Sequence, residues 1–400
     1  MSLLLLLIIF LIIVFTIFIF KKSLAVAMIV GIIATIILYR FNFNKIIDTS
    51  LLALSNPSSL QVVAITYIVT VLQRLLEGQD VFKKAQNHIF NIFSSNRKAT
   101  MIAPILMGPL PAISAIYMAA AMVEDSVKDK LNNVDKTYIT AYYRHCFEGI
   151  LPVYGSVIIA ITLAKISATS FVITMLPLSI LFCIVGYFYV IKKLPLEKTN
   201  KVDKLNDIVH LIKNLYPIII IIFLALFLHI NIILSSIISI LLYCIIERIT
   251  IKNLLAKIKD GFEFKILITT FLLLIFKDFI NATNINEVLP QLINNSFIPP
   301  IIFFIILTII LTFLLGNSAS HALLIPLAII QLKENPIAIA ILINGISFFT
   351  MQIAPSHLCL YLASEYFDIK LIQLLKKSAI PALFLIVCAI LYYFLLIRII

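Results

Sequence analysis

The sequence predicts an all-α polytopic membrane protein whose two halves repeat one another in opposite orientation, and three observations predict it. Hydrophobic residues make up 62% of the chain and charged residues 12%, with a mean hydropathy of +1.12. A soluble domain could not bury that much apolar surface. The apolar runs approach the ~20 residues needed to cross a bilayer core, which favours helical spans over a barrel. Finally, the same succession of runs and interruptions occurs twice.

The formal charge of +12 does not point to nucleic acid, because the lysines and arginines sit in short loops between apolar runs, where they report topology. Five cysteines (Cys146, Cys183, Cys244, Cys359, Cys388) are scattered through apolar segments without paired spacing. That pattern argues against a disulfide framework or a zinc site. A secretory signal carries its positive charge before a short apolar stretch. Here Leu3–Phe20 is long and Lys21 and Lys22 follow it, so it reads as a retained first span with its N-terminus outside.

In order, spans are expected at Leu3–Phe20, Leu24–Tyr39 and Leu60–Leu76, followed by an amphipathic interfacial stretch at Val81–Phe93. Thr100–Val123 is apolar but interrupted by Gly108, Pro109 and Pro111. Tyr138–Ala164 carries polar residues and a break at Pro152, and Phe171–Ile191 completes the first repeat, 1–191. A charged linker, 192–214, separates it from a second repeat, 215–400. That repeat has spans at Tyr216–Leu228, Ile232–Ile246 and Ile266–Ile280, an interrupted run at Pro300–Leu332, a segment broken at Pro355 and a last span at Ile380–Ile397.

Thr100–Val123 is too short for two crossings, so each interrupted run is read as a re-entrant hairpin, near 100–123 and near 300–332. About ten crossings remain, about five in each half, and an odd number inverts the second half relative to the first. Charge supports this. Lys21/Lys22, Lys83/Lys84, Arg97/Lys98, Lys128–Lys136, the Lys192–Lys213 linker, Arg248–Lys265 and Lys370–Lys377 fall on one side. The other keeps Arg40, Lys45, Lys165, Lys333 and Arg398, with Lys277 near a span end. The basic side is expected to be cytoplasmic, with both termini outside the inner (plasma) membrane.

Two prolines and a glycine in Gly108-Pro-Leu-Pro-Ala-Ile-Ser114 stop a helix and free backbone groups that hydrocarbon cannot satisfy. The counterpart, Gly316-Asn-Ser-Ala-Ser-His321, is small and hydrogen-bonding. A half-helix starting after such a tip aims its amides at the interior, a seat for a carboxylate or similar anion. A proline-kinked span and an ordinary polar connection would be the plainer reading, but two interruptions at matching places speak against it. The expected binding residues are Gly108, Pro109, Pro111, Ser114, Gly316, Asn317, Ser318, Ser320, Thr350, Pro355 and Ser356.

In Arg144-His145-Cys146-Phe147-Glu148, Arg144 and Glu148 fall one helical turn apart and can pair. Arg144 can also snorkel to the cytoplasmic surface and leave Glu148 as the deeper charge. Intramembrane ionisable groups face a pathway or a partner, so Arg144, His145 and Glu148 are candidates for coupling or gating. His321 and His357, placed at corresponding tips, join them as substrate ligands, proton relays or polar anchors of a broken helix.

These same elements carry a resemblance. Ala103-Pro-Ile-Leu-Met-Gly-Pro-Leu-Pro111 with Ala119–Glu124, Tyr143-Arg-His-Cys-Phe-Glu-Gly-Ile-Leu-Pro-Val-Tyr154, and Pro355-Ser-His-Leu-Cys-Leu360 with Glu365-Tyr-Phe367 resemble, in order, the signatures of a prokaryotic integral membrane family, domain of unknown function 401. Ala112 and Ile113 stand where the family has paired glycines, and Gly155 where it has proline. The family is similar to the wider ion transporter superfamily of dicarboxylate and citrate carriers. The resemblance implies two re-entrant hairpins, two broken helices and carriage of a small anion. The Asn317-Ser318 pair is similar to the hairpin tips of sodium-coupled carriers, whereas the first tip differs from them.

The expected function is therefore alternating-access permeation of a small anionic solute such as a carboxylate, with sodium or proton coupling and no other cofactor. The partners are the lipid bilayer and the solute, with a homodimer left open. An intramembrane enzyme is the alternative. No His-Glu-x-x-His or Gly-x-Ser-x-Gly run is present, and His145-x-x-Glu148 has no second histidine nearby in sequence. A membrane subunit of a larger complex is the third reading.

Overall fold

The computed structural model describes residues 22–81, 96–108, 113–127, 130–194, 204–283, 299–355 and 357–400, with scattered positions in 5–20 and 84–92. The described residues form helices and their connections, with no strand among them. After the helical positions before residue 17 come α1 (Leu24–Leu38), α2 (Phe43–Ser55) and α3 (Pro57–Gly78). The helices α4 (Asn96–Met107) and α5 (Ile113–Val127) pack together as a pair. Next, α6 (Asn133–Arg144) tightens into a 3-10 turn at His145–Phe147 and the chain resumes as α7 (Gly155–Ala164) and α8 (Ala168–Tyr189). The order then recurs: α9 (Lys204–Leu226), α10 (Ile232–Ile246), α11 (Ile251–Asp260), α12 (Phe264–Asn281), the pair α13 (Pro300–Leu315) and α14 (Asn317–Leu332), the broken α15 (Pro336–Met351) and α16 (Leu358–Tyr366), and α17 (Leu371–Ile399).

The recurrence extends to local geometry. Arg40 after α1 and Arg248 after α10 are both left-handed, with φ of 52° and 51°. Each is followed by an amide that reaches back five residues, Phe41 N–H to Ile36 O and Ile249 N–H to Cys244 O, both at 2.9 Å. Such a terminus satisfies orphan carbonyls and stops the helix. In each half the next residue, Asn42 or Thr250, caps a short amphipathic helix, α2 or α11.

The apolar faces are arranged for a lipid solvent. Along α8, Phe171, Met175, Leu178 and Phe182 are buried while Ile173, Leu176, Ile180, Ile184 and Phe188 are exposed. In α17, Leu385 and Ala389 are buried while Leu383, Val387, Leu391 and Leu395 face outward. A helix apolar on both sides needs apolar surroundings on both, so this is a membrane protein. Four described helical stretches, Ser59–Gly78, Ala168–Lys193, Leu205–Leu226 and Leu371–Ile399, are long and apolar enough to cross a bilayer. By contrast α13 and α14, of 16 residues each, extend only about 24 Å at 1.5 Å per residue, less than the ~30 Å core. The core centres on α15, buried at every position from Ala338 to Met351. A Cβ on Gly345 would lie 3.2 Å from both Ala389 and Leu178, a close approach that glycine permits.

One end of the bundle collects the basic segments. There Arg74 pairs with Glu77 and Glu263, His88 Nδ1 lies 2.8 Å from Asp207, and Arg97 donates to the carbonyls of Leu194 and Lys192. Lys136 meets Glu124 at 2.9 Å and Lys377 meets Asp135 at 2.7 Å. The opposite end holds Lys165 and Lys333, both left-handed caps, at the ends of α7 and α14. Of the segments grouped on one side from sequence, Arg97 thus meets the start of the linker and Asp135 meets Lys377.

Several boundaries differ from expectation. The first broken segment gives way at His145, well before Pro152, because its 3-10 turn already ends the α-helical ladder. In the second interruption Gly316 alone lies outside a helix, and Asn317 to Ser320 form the first turn of α14. The helix α9 begins inside the stretch read as a linker. Most of Val81–Phe93 lies outside the described residues, as do Pro109, Pro111, Ser356 and the Ser114 side chain.

Candidate functional site

Glycine sets the contact between the first hairpin and the first broken helix. A Cβ built on Gly108, at the end of α4, would come within 2.5 Å of the Arg144 carbonyl and 2.8 Å of that of Ile105. Real contacts of that kind are not that short, so only glycine lets this tip lie against the end of α6. The second hairpin turns on Gly316, whose φ of +86° is open to glycine but costly for a side chain. No neighbour lies within 4 Å of its Cβ position, so conformation and not space fixes glycine there.

The second tip is tied to α15. Thr312 Oγ1 donates to Ser347 Oγ at 2.9 Å and Ser347 Oγ donates to Asn317 Oδ1 at 2.9 Å. Asn317 Nδ2 then lies 3.1 Å from Met351 Sδ, beside the second break. All four residues are buried, and a complete chain of such bonds holds the Asn317 amide in one orientation. One turn into α14, His321 Nδ1 lies 2.9 Å from the Ser156 carbonyl, which joins the second hairpin to α7 of the first half. Asn344 Nδ2 donates to the Gly149 carbonyl at 2.9 Å, and the Phe348 ring closes over Gly149, where a Cβ would sit 2.7 Å from it.

Helix starts differ in their capping. Side-chain caps stand at several of them: Ser23 on α1, Asn42 on α2, Asn132 on α6, Ser167 on α8, Asn231 on α10, Thr250 on α11 and Asn335 on α15. The helices that start at interior breaks, α7 after Tyr154, α14 after Gly316 and α16 after His357, have none, and neither do α12 after Glu263 and α13 after Pro299. The first turns of α7 and α14 are largely buried, with Ser156 and Asn317 each 8% exposed and Ala319 fully enclosed. Uncapped first-turn amides carry the positive end of the helix dipole and attract an anion. Nearby polar atoms also want partners: Ser320 Oγ, His321 Nε2, Thr350 Oγ1 and Tyr154 OH are buried with no hydrogen bond among the described residues. Buried polar atoms are seldom left so.

The expected coupling residues gather at the two breaks. His145, fully buried, places Nε2 2.9 Å from His357 Nε2 and 3.5 Å from Glu148 Oε2. Arg144 is buried, not snorkelled, and its Nη1 points at Cys359 Sγ, 3.4 Å away. His321 and His357 do not occupy corresponding tips: His321 belongs to a hairpin helix, and His357 stands in a break as the N-terminal flank of α16. Ser318 is half-buried and Pro355 exposed. Thr312, Ser347, Ser156 and Cys359 were not singled out from sequence. Asn344 and Ser347, three apart in an apolar helix, form a one-sided polar row that would have pointed to them.

No curated protein shows significant similarity to the chain. Among solved structures it is similar to the crystal structure of the YdaH transporter of Alcanivorax borkumensis, reported to have an unusual topology, at 14% identity with a TM-score of 0.46, over 88% of this chain and 87% of that one. Residues 2–397 match the sequence profile described as "Protein of unknown function (DUF401)", and the chain belongs to that family.

Proposed function

We propose that this protein is a secondary transporter of a small anionic solute such as a carboxylate, working by alternating access between two inverted halves. Each half would contribute about five crossings and one re-entrant hairpin, with the basic end of the bundle in the cytoplasm. The observation that carries this reading is the buried, uncapped start of α14 at Gly316, set among hydroxyls and an imidazole nitrogen that lack partners. The first-turn amides supply positive potential and Asn317, Ser318, Ser320 and Thr350 supply donors. Hairpin helices too short to cross are also what an interior binding site requires, since irregular backbone at membrane depth is tolerated where it lines protein or a cavity.

The test is uptake of labelled mono- and dicarboxylates and inorganic anions into proteoliposomes under imposed proton or sodium gradients. At least one anion is expected to accumulate with one gradient and to stop when an ionophore collapses it. Asn317→Ala should cut that flux at least ~10-fold, the worth of one lost charge-assisted hydrogen bond. Unchanged flux in Asn317→Ala would sink the site assignment, and accumulation of cations alone would sink the anion reading.

A further inference from the structure

We propose that His145, His357, Cys359 and Glu148 form a binding site for a zinc-class divalent cation that clamps the two broken helices together. A ring nitrogen of His145, one of His357 and the Cys359 thiol sulfur all lie within 4.8 Å of one another. The two Nε2 nitrogens are 2.9 Å apart and Glu148 Oε2 is 3.5 Å from His145 Nε2. A tetrahedral ion with Zn–N bonds of ~2.0–2.1 Å separates neighbouring nitrogen ligands by about 3.3 Å. The imidazoles therefore need to open by only a few tenths of an ångström, and Glu148 would swing in from beside His145 as the fourth ligand.

The donor chemistry is selective. Two imidazoles, a thiolate and a carboxylate suit zinc, cobalt or nickel and not magnesium or calcium, which take oxygen ligands. Four protein ligands leave no open position, which is the mark of a structural or regulatory site and not of a hydrolytic one. The metal takes the sulfur as a thiolate, and the thiol proton leaves to solvent as the ion binds. Sequence spacing concealed the site because each break supplies only half of it: His145-x-x-Glu148 from the first and His357-x-Cys359 from the second. This inference does not rest on the transport reading, and its test measures no flux.

Full-length protein in detergent, stripped with chelator, is titrated with Co2+ and followed by absorption. One equivalent is expected, with visible ligand-field bands and a near-ultraviolet thiolate-to-cobalt charge-transfer band, both displaced by Zn2+. Cys359→Ser should abolish the charge-transfer band, and His357→Ala should weaken binding by more than ~100-fold, beyond what loss of an outer-shell partner costs. His210→Ala removes the imidazole stacked on His88 at the basic end and should leave the titration unchanged. Absence of a charge-transfer band in the wild type, retention of it in Cys359→Ser, or loss of binding in His210→Ala would each overturn the proposal. The wild-type spectrum decides the matter even where a histidine variant does not fold.

Discussion

Three glycines make distinct demands on their surroundings, so replacing each with alanine reads out the packing of the tips directly. At Gly108 the new methyl would meet the Arg144 carbonyl of α6 at 2.5 Å and the Ile105 carbonyl of its own hairpin at 2.8 Å, and relief of the first requires the hairpin and α6 to separate by about 0.5–0.9 Å. Overpacking against atoms that cannot rotate away costs about 1–3 kcal/mol. At Gly316 there is room for the methyl, but φ of +86° imposes about 1–2 kcal/mol of backbone strain. At Gly155, the first residue of α7, nothing lies within 4 Å, and alanine there stabilises by about 0.4–1 kcal/mol through the unfolded chain. The chain has no tryptophan and five cysteines, all free and none exposed, so a thiol-reactive dye reports melting. At about 2 °C per kcal/mol for a long chain, Gly108→Ala should lower the melting temperature by about 2–6 °C and Gly316→Ala by about 2–4 °C, while Gly155→Ala leaves it level or raises it. A Gly108→Ala protein that melts with the wild type would refute the close approach of hairpin and broken helix.

Other outcomes follow from single contacts. Ser347→Ala breaks the link between Thr312 and Asn317 and should cost about 1–3 kcal/mol, while also weakening protection of the α14 first turn in hydrogen exchange. Asn344→Leu leaves the Gly149 carbonyl without its donor and should destabilise by about 1–3 kcal/mol, mapped by faster exchange at the first break. Glu263→Gln removes a half-exposed partner of Arg74 and is expected to cost at most ~1 kcal/mol, with the difference disappearing in high salt. Single cysteines at Asn133 and Asp260, in a background lacking the native five, should react with an impermeant reagent from one face of the membrane. Cysteines at Lys165 and Lys333 should react only from the other.

Much of the fold was legible because lipid-facing and buried helices are both written as apolar runs whose length is set by the bilayer. Gly108 and Gly316 were legible for the same reason, since nothing else in an apolar run interrupts it. The short helices α2 and α11 escaped notice because an amphipathic stretch of about three turns has no span-like signature. Their capping residues, Asn42 and Thr250, gave the available signal. The pairing expected of Arg144 and Glu148 assumed a continuous α-helix. The 3-10 turn at His145 tightens the chain there and also brings Glu148 within 3.5 Å of His145. The meeting of His145 with His357 could not be read from one sequence, because 212 positions separate them and only the crossing of the two breaks brings them together.

That separation bears on how the protein is made. The first half leaves the ribosome carrying a helix broken at His145 to Tyr154, and the groups that satisfy it come much later. Asn344 reaches Gly149 across 195 positions, His321 reaches Ser156 across 165, and His357 reaches His145 across 212. Until those segments are inserted, the freed carbonyls of the first break must be solvated by water, lipid headgroups or the insertion machinery, since hydrocarbon offers them nothing. The nascent first half is thus a bundle with an open wound at membrane depth. Contacts this distant in sequence also form slowly. A chain truncated after α8 should be drawn to quality-control proteases, whereas co-expression of the missing half as a separate polypeptide should rescue it.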